Sequence, residues 1–223
     1  QRLATAIGDR PACAVALDVR TGEVLAAYSN PSFDPNLMSG SLTTTQWNEL
    51  ISDPDKPLFN RITQATYPPA SLFKTITSLA GLSGGHISTT SSLEPCGGGW
   101  TYGNRYFRCW KKGGHGYLDH TGAMMNSCDT FYYQLGMRMQ VDELAAAARA
   151  FGLGSRVTTE FGDEVKGNVP DAAWYDKRMG KGKWSRGVLM NTSIGQGELL
   201  VTPIQMAVVA GRLATSGTMP DPV

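Results

Sequence analysis

"YPPASLFKTITSLAGLSGG" (residues 67–85) reads as a helix that carries chemistry in its first turn. Pro68 and Pro69 block helix before Ala70, because proline has no N–H and restricts the residue ahead of it. Apolar residues then recur at Leu72, Phe73, Ile76, Leu79 and Ala80, and Gly84-Gly85 closes the element. Ser71 and Lys74 stand three residues apart, so one turn puts them on the same face. A serine hydroxyl is a weak nucleophile near neutral pH and needs a base or a nearby cation. A lysine whose charged form is disfavoured by burial can serve as that base. The helix N-terminus adds unpaired N–H groups and a partial positive charge where an oxyanion would form. Taken alone, the spacing favours a plainer account: a capping serine and a surface lysine.

Downstream, "NSCDTF" (126–131) sets Ser127 and Asp129 on either side of Cys128, 53 residues after Lys74. Helical patterns surround it at 118–126, 130–139 and 141–151, and an apolar helix follows from about Thr202 to Ala214. Upstream, "ACAVALDVRTGEVLAAYS" (12–29) is two β-rich runs around the turn signal "RTGE", with Gly22 free to take positive φ. "NPSFDPN" is an irregular exit from that hairpin, and 41–63 reads as a short helix with loops. Residues 96–118 are rich in glycine and aromatics without periodicity and read as a long loop, and the stretch before residue 193 is also loop-rich. No internal repeat appears, and no linker separates two balanced halves. The sum is α+β, a helix-rich body with an antiparallel sheet.

A chain of 223 residues holds one sizeable core, or a domain with a subsidiary lobe. The net charge of +1 gives no electrostatic reason to expect nucleic acid. Locally, "KRMGKGKWSR" (177–186) packs five cations with no acid, either a solvated loop or a surface for anionic glycan or lipid headgroups. No apolar run approaches the ~18 residues that span a bilayer, and no signal peptide opens the chain. The ends, "QRLATAIGD" and "TMPDPV", do not read as natural termini and suggest a soluble piece excised from a longer protein.

Cys13 lies in the apolar run "ACAVALDV" and reads as a small buried hydrophobe. Cys96, Cys109, His115 and Cys128 follow at intervals of thirteen, six and thirteen residues. Three thiolates and an imidazole suit a closed tetrahedral Zn²⁺ site, and a glycine-rich loop without a core gains order from such a clip. The spacing is not the tight C-x₂-C knuckle. A disulfide with a free thiol, or three inert thiols, remain open readings of the same residues. Asp119 and His120 are competing polar ligands, although "LDHTGA" reads as a helix start with Asp119 as its cap.

"LDVRTGEVLA", "PSFDPN", "NRITQATYPPASLFK", "WKKGGHG", "NSCDTFYYQLG", "GNVPD" and "IGQGELLVTPIQMA" run in order from residue 17 to 207. Together they resemble the penicillin-binding proteins, acyl-serine transferases marked by S-x-x-K, S-x-N and K-[ST]-G. More narrowly they resemble the class B, elongation-type group around penicillin-binding protein 2. The resemblance implies a penicillin-binding protein/serine β-lactamase-like transpeptidase fold. It makes Ser71 the acylated nucleophile, Lys74 its proton acceptor and Ser127 the relay to the leaving amine. Asp129 stands where most of the family has asparagine; a carboxylate only accepts hydrogen bonds, so it is expected to pair with Lys74. Some members carry a zinc site formed by the loop before S-x-[ND] and a cysteine inside that motif, in which two ligands can be aspartates. The resemblance therefore favours structural zinc on Cys96, Cys109, His115 and Cys128.

No Lys-[Ser/Thr]-Gly occurs in the chain; Ser216-Gly217-Thr218 follows Ala214 and Thr215, where a lysine would be needed. Residues 1–223 are thus expected to be a partial transpeptidase domain, incomplete at the C-terminal end, with 96–128 a zinc-clipped loop region inside it. The function implied for the parent is a D,D-transpeptidase that cross-links peptidoglycan stem peptides and is acylated by β-lactams. It would work on the periplasmic face of the bacterial cytoplasmic membrane with a glycosyltransferase and the elongation machinery. A serine β-lactamase or β-lactam sensor, and a non-catalytic interaction module, are the alternatives.

Overall fold

The computed structural model describes residues 2–158 and 161–223. Their contacts gather into two compact units, each made of discontinuous segments.

The first unit comprises Gln1–Tyr67, Phe151–Gly167 and Val201–Val223. A short helix α1 (Arg2–Ile7) leads into strands β1 (Ala12–Leu17) and β2 (Val24–Asn30), paired antiparallel with Ala12 opposite Asn30 and a register shift at Ala16/Leu17. The expected hairpin is present, and Gly22 takes the positive φ of 80° that its turn requires. Two helices follow, α2 (Pro35–Met38) and α3 (Thr44–Ser52), the second opened by a capping box between Thr43 and Gln46. Helix α10 (Pro203–Ala214) starts on the same device, with Thr202 accepting from Gln205 N and proline at its first position. It packs on β1, and Ile204 and Val208 join Ile62, Val157 and Met219 in the core. Burying such branched side chains supplies about 1.5–3 kcal/mol each against exposure. Within this core, Glu164 is buried and accepts from the N–H groups of Val157 and Thr158.

The second unit comprises Pro68–Ala150 and Asn168–Leu200. A 3₁₀ turn (Ala70–Phe73) opens directly into helix α4 (Lys74–Ser83), so the expected helix begins where the two prolines release it. A second hairpin, β3 (Gly99–Tyr102) and β4 (Arg105–Arg108), occupies the middle of the presumed loop. Helices α5 (His120–Met125), α6 (Asp129–Arg138) and α7 (Val141–Ala150) match the three helical patterns, and Asp119 caps α5 by accepting from Gly122 N at 2.7 Å. Two short helices, α8 (Ala172–Met179) and α9 (Val188–Ser193), stand where loop was expected. α4 packs on α6 and α7, and α6 packs on α9 and both strands of the hairpin. Phe73, Ile76, Tyr132, Leu135, Leu144 and Leu189 form its buried centre.

Candidate functional site

Ser71 lies in the 3₁₀ turn and lines a cavity of about 410 Å³ with Asp129, Trp110, Tyr133, Ile194 and Gln196. The turn is held from behind. Ala70 N donates to Gly195 O at 2.8 Å, and Ala70 itself sits at φ 52°. Gly195 has φ 72°, and a Cβ there would collide with the Ala70 carbonyl oxygen, so only glycine lets the two backbones meet.

Lys74 follows one turn on and is buried, with 1% of its surface exposed. Its ammonium spends all three donors nearby: Ser127 O at 2.9 Å, Ser127 Oγ at 3.0 Å and Asp129 Oδ1 at 2.6 Å. The Tyr132 ring lies 5.4 Å from Nζ, a further favourable contact for the cation. The structure thus brings Lys74, Ser127 and Asp129 into direct contact and sets Ser71 on the same cavity as Asp129. Ser127 reaches this position at φ 48°, a left-handed conformation worth about 1–2 kcal/mol of strain in a non-glycine residue.

Cys128 turns away from that cavity. With Cys96, Cys109 and His115 it forms a group whose four donor atoms lie within 4.8 Å of one another. All three cysteines are free and buried. Both Cys96 Sγ and Cys109 Sγ stand 3.6 Å from the same atom, His115 Nδ1. One ring nitrogen has a single proton or a single lone pair, so it cannot bond both thiols well. A tetrahedral ion with Zn–S of about 2.3 Å and Zn–N of about 2.0 Å separates sulfur from nitrogen by about 3.5 Å, and the donor set fits it. Burial pushes Cys96 up, but its hydrogen bond with Thr130 and those from the N–H groups of Gly98 and His115 outweigh it and bring that thiol down to about 6. Burial drives Cys128 to about 12, helped by Cys96 and Cys109. Asp119 and His120 stand outside the group: one caps α5, and the other bonds Ser78.

Several residues that matter here were not singled out from the sequence. Trp110 ties the two sites together: its N–H donates to Asp129 Oδ2 at 3.1 Å, and its indole to Asn126 O and Ser127 O. Its signals were adjacency to Cys109 and its place at the head of "WKKGGHG". Thr130 hydrogen-bonds Cys96, and Tyr133 OH donates to Arg108 O. Behind Lys74, His120 Nε2 meets Ser78 Oγ at 2.9 Å and Ser78 Oγ meets Tyr132 OH at 2.8 Å. Burial lowers His120 against the opposing charge of Asp119 and raises Tyr132 to about 12.

Residues 12–223 match the family model described as the penicillin binding protein transpeptidase domain. Peptidoglycan D,D-transpeptidase MrdA of Escherichia coli (strain K12) is 37% identical over 225 residues, covering 100% of this chain and 35% of that protein. The chain thus spans about a third of that curated relative. The crystal structure of Pseudomonas aeruginosa PBP2 in complex with WCK 5153 superposes with a TM-score of 0.93 at 34% identity, over 98% of this chain and 48% of that one. The complex between PBP2 and MreC from Helicobacter pylori gives 0.93 at 31% identity, over 99% and 41%. Helices and small antiparallel sheets superpose on these relatives along nearly the whole chain, and the chain belongs to the penicillin-binding protein transpeptidase domain family.

Proposed function

We propose that this chain is part of a peptidoglycan D,D-transpeptidase in which Ser71 forms the acyl-enzyme. The observation that carries this is the buried Lys74, fixed to Ser127 and Asp129 one helical turn from a serine on the same cavity. With all three donors engaged, the ammonium has no lone pair to offer. The base is generated when Lys74 passes one proton to Asp129, a 2.6 Å transfer within the pair. Ser71 Oγ then loses its proton to Lys74 Nζ as it attacks the D-Ala-D-Ala amide, and Ser127 Oγ relays a proton to the departing D-Ala nitrogen. An amine from a neighbouring stem peptide reverses the sequence and leaves a cross-link. β-Lactams enter at the first step and stop there.

Cys96, Cys109, His115 and Cys128 would hold one structural Zn²⁺. A four-ligand site leaves no open position, so the ion supplies order rather than chemistry. Through Trp110 and Cys128 that order reaches Ser127 and Asp129. Residues 96–128 then act as a metal-clipped region within the transpeptidase domain.

Among the described residues no helix is long and apolar enough to cross a membrane. The parent protein is proposed to work at the periplasmic face of the cytoplasmic membrane with a glycosyltransferase. The relative solved in complex with MreC supports a partner in the elongation machinery.

Fluorescent penicillin tests the reading on the full-length protein. We expect a stable covalent adduct that Ser71→Ala abolishes. Release of the adduct within seconds would point to a β-lactamase, and labelling that survives Ser71→Ala would overturn the assignment. No labelling of the wild type would favour a non-catalytic interaction module.

A further inference from the structure

The net charge of +1 conceals an uneven distribution. Residues 96–118 carry four cations and no acid, and residues 177–197 carry five cations and no acid. Among the described residues, none of these nine forms a salt bridge with a carboxylate. Both segments belong to the second unit, and a cavity of about 420 Å³ opens between them. Arg105 and Lys183 line it with Tyr102, Trp184, Asn104 and Asn191, and no acid lines it.

The cavity is built rather than incidental. The Arg105 guanidinium lies 4.6 Å from the centre of the Phe107 ring, which restrains it over a buried side chain. The Trp184 indole donates to Asp176 Oδ1 at 2.8 Å and packs on Tyr175 with ring centres 5.3 Å apart. Gly182 N donates to the same oxygen and fixes the loop that carries Lys183. Forked guanidinium donors, an ammonium, two amides and two aromatic edges suit a carboxylate on a peptide or sugar-peptide. The lining lacks the long aliphatic trough that acyl chains need, which argues against a lipid.

This cavity is linked to the one at Ser71. Strand β4 passes from Arg105 and Phe107 in the first to Arg108 in the second. Asn191 O accepts from Gln196 N, joining the opposite walls. At about 3.3 Å per residue, Arg105 stands about 10 Å along the strand from Arg108, the reach of about three extended peptide residues.

We infer that Arg105 and Lys183 form an anchoring subsite for a stem-peptide carboxylate remote from the bond that Ser71 attacks. The inference rests on the proposed transpeptidase reading, and its test does not need turnover. Calorimetry on full-length protein bearing Ser71→Ala would compare an acetylated stem pentapeptide with free side carboxylates against the same peptide with those carboxylates amidated. We expect the free-acid peptide to bind at least tenfold more tightly in low salt, and the double variant Arg105→Gln/Lys183→Gln to erase that difference. Thermal unfolding of the variant should match the parent, since both side chains are exposed. Equal affinity for the two peptides, or a difference that survives the double variant, overturns the subsite. Anionic lipid vesicles that bind through the same two residues more tightly than the peptide would overturn it in favour of a headgroup site. A charge-dependent subsite in a protein that penicillin never labels would keep this inference and sink the catalytic one.

Discussion

Asp129 serves two sites with its two oxygens. Oδ1 takes the Lys74 ammonium and Oδ2 takes the N–H of Trp110, the residue after a cluster cysteine. Removing one partner of a buried ion pair strands the other, which costs about 3–5 kcal/mol. Asp129→Ala should therefore lower unfolding stability by about 3 kcal/mol, read from urea denaturation. Asp129→Asn keeps an oxygen for one partner and should recover more than half of the loss. Cys128 sits between Ser127 and Asp129 and points the other way because strand-like backbone at Cys128 (φ −72°, ψ 104°) follows a left-handed Ser127. Alternation of polar, thiol and polar side chains was visible in "NSCDTF"; the strained φ that aims them was not, since serine gives no sign of it.

At the scale of elements, the hairpin of β3 and β4 carries Cys109 at its exit and delivers Trp110 to the cavity at Ser71. Its stability depends on little apolar burial, since Phe107 alone in β4 is buried. A metal clip would supply what the core does not. Elemental analysis with a thiol count should find about one zinc per chain. Cys109→Ser should lower that content, reduce the melting temperature by several degrees, and slow penicillin labelling while leaving Ser71 in place. A metal-free, equally stable protein with a Cys109–Cys128 disulfide would reject the site. This hairpin was missed in the sequence although Gly103-Asn104 between Tyr102 and Arg105 is a two-residue turn signal. Flanking glycines hid the strand alternation. α8 and α9 were missed because six to eight residues give too few turns for a period to show. α10 was legible because it is an apolar helical run, in which Ile204, Val208 and Val209 form the buried face.

For the molecule as a whole, two buried groups give stability opposite responses to pH. His120 is held neutral by burial, so its folded value lies below the ordinary 6.5. The unfolded chain then binds protons first, and stability falls as pH drops below about 6.5. Glu164 is raised above its ordinary 4.5 by burial, so its contribution is present below that value and fades as pH rises through the folded one. Urea midpoints of wild type between pH 7.5 and 5.5 should fall, and His120→Gln, whose amide can still reach Ser78, should flatten the fall. The α+β class and the order of the main helices could be read from periodicity and caps. The division into two units could not, because each is assembled from segments far apart in the chain. The seating of Gly195 against Ala70 makes that wall intolerant of any side chain. Gly195→Ala forces a left-handed alanine into the Ala70 carbonyl, which should destabilise by about 2 kcal/mol or more and displace Ser71. If Ser71 is the acylated residue proposed above, Gly195→Ala should also slow labelling by fluorescent penicillin. Gln196, exposed on the same cavity, carries no such constraint, and its side chain can change without touching Ala70.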